Sequence, residues 1–154
     1  MDHLHDVRTL HVACQYLAVF GVNYLENQPG DSHTNLGWSQ ELKAFTSRRT
    51  DQGDCLILHT ADLAIEWSNS MSAHLALDGR THPEVLNWLN DVSKDNGRNG
   101  FEFNLHYALD SGAISDDFRF VLPGAQSVKD HAELRARSIA ACERHMSTIG
   151  VSAD

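Results

Sequence analysis

The segment Leu4 to Leu25 limits what this chain can become, because its apolar residues leave almost no side of a helix polar. Leu4, Val7, His11, Cys14, Leu17, Gly21 and Tyr24 recur at steps of three or four, the spacing of one helical face. Leu10, Val12, Ala13, Ala18, Val19, Phe20 and Val22 fill the flanks, so from Leu10 onward most of the circumference is apolar. Burying one Leu or Val is worth roughly 1.5 to 3 kcal/mol, and a helix of this kind requires cover on two sides. Either a sheet packs on one side and another helix on the other, or the second side is a subunit interface. The helix is expected to run to about Asn27 and to stop at Pro29-Gly30, where proline breaks the hydrogen-bond ladder and glycine permits left-handed backbone.

From Gln40 to Leu77 the apolar period shortens to that of strands. Leu42, Ala44 and Thr46 alternate with polar or larger neighbours, Cys55 to Leu58 is an apolar run, and Leu63, Ile65 and Trp67 alternate with Ala64 and Glu66. Ala73 to Leu77 is a further short strand, and turns fall at Arg48 to Asp54, His59 to Asp62 and Ser68 to Ser72, as in an antiparallel meander. Thr81-His82-Pro83-Glu84 has the form of a capping box opening a helix, and Asn96-Gly97 closes it. Phe101 to Leu109 and Phe118 to Leu122 alternate like half-buried strands, and a last helix is expected from Ser127 to about Thr148, started by Ser127 with Asp130. The expected fold is therefore α+β: one domain over residues 1–154, with an antiparallel sheet of about four to six strands packed with N-terminal, middle and C-terminal helices.

The 21 acidic and 12 basic residues give a formal charge of -9, which opposes a phosphate backbone or an anionic membrane surface. No nucleic-acid partner is expected. The most apolar run, Val12 to Val22, contains Gln15 and is only about half of what a bilayer span needs. The start of the chain lacks the basic character of a secretory signal, so a soluble, cytoplasmic protein is expected. Cys14, Cys55 and Cys142 are far apart and odd in number, and are read as reduced thiols, mostly buried.

Ten histidines direct attention to metal and acid-base chemistry, although HExxH and similar signatures are missing. Asp31, His33 and Asn35 sit at a period of two in the polar loop after the first helix, which in an extended conformation aims all three one way, with Trp38 as a wall. His59 and Asp62 at a predicted turn form a base with its orienting carboxylate. Glu102 and His106 share a face of the predicted strand and would join His33 in a histidine and carboxylate cluster. His11 is read as a buried, hydrogen-bonded core residue, and His74, His82, His131 and His145 as surface or capping positions.

Two functions follow from these residues. In the first, the chain is a non-catalytic binding or oligomerisation module and forms a homodimer through the first and last helices. In the second, it is a metal-assisted hydrolase or lyase for a small molecule. There a divalent metal on Asp31, His33 and His106 polarises an oxygen or activates water, His59 and Asp62 act as catalytic groups, and Asn35, Trp38 and Glu102 bind the ligand.

Overall fold

A computed structural model describes residues 3–104 and 114–150. The fold is α+β. Helix α1 (His3–Tyr24) is followed by a short 3-10 segment (Pro29–Thr34) and then by strands β1 (Gly37–Ser39), β2 (Ala44–Thr46), β3 (Cys55–His59), β4 (Ala64–Ser68) and β5 (Ala73–Ala76). Helices α2 (His82–Asp95) and α3 (Ala125–Ile149) complete it. All five strands are antiparallel and lie in sequence order across one sheet, the expected meander.

Strand alternation gives this sheet two unlike faces. Trp38, Phe45, Leu58, Ile65 and Leu75 stand in one cross-strand row, with Leu56 and Trp67 in the next. These form the core with α1, which is buried at every residue from Thr9 to Gly21 except His11 and Cys14. The two-sided cover that α1 requires comes from within the chain: β3 packs on one side, while Tyr16 on another meets His82 of α2, Phe103 and Phe120. Val85, Leu89 and Val92 of α2 enter the same core.

A close approach anchors the segment after α1. A Cβ built on Gly21 would lie 2.3 Å from the carbonyl oxygen of His33, so only glycine lets the 3-10 turn lie against the helix. The turn reverses at Gly30 and Asp31, both left-handed, and Asp31, at φ 55, bears a strain that asparagine and aspartate tolerate best. On the far side, Arg98 grips Asp54 with two donors, Nη2 at 2.5 Å and Nε at 3.2 Å, and Nη2 also donates to Thr50. That pair ties the β2–β3 connection to the end of α2. Burial alone raises the Asp54 carboxyl, but the bonds from Arg98 and Thr50 and the Arg98 charge outweigh it and hold the group below its usual range.

Several expectations are corrected. Residues 118–122 are not assigned as a strand: among the described residues Phe120 exchanges backbone bonds with Gly79 and Arg80, and there is one isolated bridge, between Thr81 and Arg119. At Phe101 to Asn104 the side chain of Asn23 takes the place of a strand neighbour, since it accepts from the Glu102 N–H and donates to the Glu102 carbonyl. The remainder of that predicted strand, with His106, lies outside the described residues. His11 is exposed rather than core, because the body of the fold leaves that stripe of α1 open, and Leu4 and Val7 on it are exposed as well. His82 is buried, with Nδ1 2.6 Å from the Tyr16 hydroxyl, and His131 is half-buried against Trp38 and Phe45. Helix α3 begins at Ala125 after Gly124, two residues before the expected cap, and Val128 is its one buried residue. Cys142 is therefore exposed, whereas burial pushes the Cys14 thiol up to about 12 against the opposing charge of Arg135.

In an ordinary helix interior Gly→Ala gains about 1 kcal/mol. At Gly21 the sign is expected to reverse, because the added methyl meets backbone, and Gly21→Ala should lose about 2 kcal/mol in urea unfolding. An unchanged or raised midpoint would show that the turn does not lie against α1.

Candidate metal centre

The second face of the sheet carries the residues that alternate with the core rows: Ala44, Cys55, Ile57, Ala64 and, among them, His59, Glu66 and His74. Glu66 stands directly opposite His74 across the β4–β5 pair. His59 is paired with Ala64, so Glu66, two residues further on, is its diagonal neighbour. The β3–β4 and β4–β5 turns thus bring together three residues that are seven and eight positions apart in sequence.

One ligand atom from each of the three side chains can be chosen so that all lie within 4.8 Å of one another. His59 Nε2 is 2.8 Å from Glu66 Oε2, and the rings of His59 and His74 are 6.2 Å apart between centroids. Burial by itself raises the Glu66 carboxyl. Hydrogen bonds from His59 and Ser72 and the charges of the two histidines overcome it and keep Glu66 below the usual glutamate range. An ionised carboxylate only accepts, so the bridging proton is on His59 Nε2. His59 and Glu66 are part-buried on strands, while His74 is exposed at the edge strand. Two imidazoles and a carboxylate suit zinc, nickel, cobalt or iron, and the hydrogen bond already holds two of the three donors side by side. Three donors leave positions for water or a further ligand.

Among the described residues, those singled out from sequence do not form one group. Asp62 is exposed in the β3–β4 turn, and the orienting carboxylate of His59 is Glu66 instead. Asp31, His33 and Asn35 lie in or next to a 3-10 turn, not an extended loop, so their period of two does not give them a common direction. His33 is 3% exposed and packs on α1, which the sheet separates from His59. Its Nδ1 accepts from the Gln28 N–H at 3.1 Å, placing the proton on Nε2, a buried donor without a partner among the described residues. Trp38 packs on Phe45 and donates to Gln40, Asn35 is exposed, and the exposed Glu102 lies beside Asn23 and Asn104.

No protein-family model, curated protein or solved structure matches this chain. Sequence reasoning missed Glu66 and His74 as partners of His59, although a signal existed: in the meander all three fall on strand positions that alternate with core residues.

Histidine burial also sets a pH dependence. Burial holds His82 below its ordinary pKa, opposed by the charge of Asp116, and burial with the Arg135 charge does the same to His131. In the unfolded chain both regain a pKa near 6.5, so below about pH 6.5 the unfolded state binds more protons and stability falls as pH drops. His82→Gln should lower stability at pH 8 and flatten part of the decline between pH 7 and 5, His131 supplying the remainder. Parallel curves for the two proteins in urea unfolding at several pH values would refute this role.

Proposed function

We propose that the chain is a binding module that holds a divalent transition metal on His59, Glu66 and His74. The observation that carries this reading is the convergence of three metal-ligating side chains within 4.8 Å from three adjacent strands. Strands place ligands more firmly than loops do, and the His59–Glu66 hydrogen bond holds two of the three donors next to each other. A metal there would supply Lewis acidity, while the chain's own residues position it and His74 leaves it open to the outside. Metal-assisted hydrolysis is the second reading, favoured by the donor count: three protein ligands are typical of catalytic zinc, four of structural zinc.

Titration calorimetry with Zn²⁺, Ni²⁺ and Co²⁺ on metal-stripped protein should give one equivalent bound. Losing an outer-shell partner costs about 10- to 100-fold in affinity, so His74→Ala or Glu66→Gln, each removing a ligand, should cost about 100-fold or more. Asp62→Asn should leave binding unchanged. Equal affinities throughout, or no binding by the parent protein, would overturn the assignment.

Self-association is a further part of the proposal. The face of α3 that meets the body at Val128, His131 and Arg135 continues outward through Ile139, Cys142, Met146 and Ile149, and Ile149 is 58% exposed. Light scattering after size exclusion is expected to give a dimer mass that Ile139→Glu/Met146→Glu reduces to a monomer. A monomer for the parent chain at high concentration would exclude it.

A further inference from the structure

Apart from the metal centre, an open groove of about 500 Å³ lies between the first three turns of α3 and two turns of the sheet. Its lining includes Ala61, Val128, Ala132 and Ala136, and its apolar character separates it from the polar clefts elsewhere on the described surface. Lys43 and Lys129 line it as well. The chain has only three lysines, Lys43, Lys94 and Lys129, and a net charge of -9, so two of its three ammonium groups at one apolar groove form a local reversal of sign. Neither has a side-chain partner among the described residues, whereas Glu133 at the same groove lies 4.0 Å from Arg137.

The main chain at Lys43 is also held in place. Its backbone is left-handed at φ 48, a costly conformation for a lysine, and the Thr60 hydroxyl donates to its carbonyl at 2.8 Å. That bond couples the β1–β2 turn, which bears Lys43, to the β3–β4 turn, which bears Ala61. The floor from Ala125 to Ala136 spans about 16 Å at 1.5 Å per residue, and the volume is within the range of small-molecule sites.

We propose that this groove binds a free, single-chain fatty acid of medium length. The hydrocarbon lies on Ala61, Val128, Ala132 and Ala136, and the carboxylate is shared by Lys43 and Lys129. Charge complementarity selects an anionic head, and the alanine floor admits a straight chain where larger side chains would close the space. This site is independent of the metal reading.

The test is calorimetry of the full chain with laurate below its micellar concentration, beside uncharged dodecanol. Laurate should bind one to one and dodecanol more weakly. Lys43→Gln and Lys129→Gln should each weaken laurate by about two- to five-fold, the yield of an exposed ion pair, and leave dodecanol unchanged. Ala132→Trp should fill the groove and abolish binding, with circular dichroism and metal affinity preserved to show that the fold is intact. Equal binding of laurate and dodecanol, no saturable binding, or laurate binding unaffected by Ala132→Trp would overturn the proposal. So would uptake only onto anionic phospholipid vesicles free of fatty acid, which would assign the lysines to a membrane surface. A dimer that Ala132→Trp dissociates would assign the groove to a second copy.

Discussion

Enclosure of α1 is the constraint from which the rest of the architecture follows. Tyr16, Leu17, Val19 and Phe20 are fully buried, each worth on the order of 2 kcal/mol in apolar transfer, so the chain must supply surfaces on more than one side of the helix. The sheet supplies one, and α2 with Phe103 and Phe120 supplies another. Because Gly21 lets the His33 carbonyl approach so closely, the segment leaving α1 folds back on it before β1 begins. The direction of the whole meander is set there.

Once one face of the sheet is committed to α1, the alternation of strand residues delivers every second side chain to the opposite face. His59, Glu66 and His74 are there for that reason, and none of them is needed for the core. Glu66 stays ionised despite partial burial because two imidazoles and Ser72 surround it. The same arrangement that stabilises the carboxylate is the one a cation would use. The Arg98–Asp54 pair has a different role: Asp54 and Thr50 take up Nε and Nη2 of Arg98, and the pair ties the β2–β3 connection to the end of α2.

Local chemistry made the elements legible. The Thr81 to Glu84 motif opens α2, with the Thr81 N–H donating to Glu84 at 2.8 Å, and Gly97 ends it at φ 72. The alternation through β2 to β5 identified the strands, since one half-buried face leaves a period of two. It misled at Phe118 to Leu122, where the same alternation reflects a buried Phe120 beside a turn, with no strand alongside among the described residues. The candidate site was less legible. His59 stands three residues from Asp62, the carboxylate that sequence separation favours as its partner, whereas the hairpin register brings Glu66 to it instead.

The sequence by itself determined the three helices, the antiparallel meander from β2 to β5 and the demand that α1 be covered, because periodicity, caps and glycine or proline stops act within a few residues. Only the tertiary structure decided which histidines meet. His82 went inside to meet Tyr16, His11 stayed outside, and His59 joined Glu66 and His74, since those outcomes depend on strand register and helix placement. The His82–Tyr16 contact spans residues far apart in the chain, and the meeting of His59, Glu66 and His74 depends on hairpin register, which alternation alone does not specify.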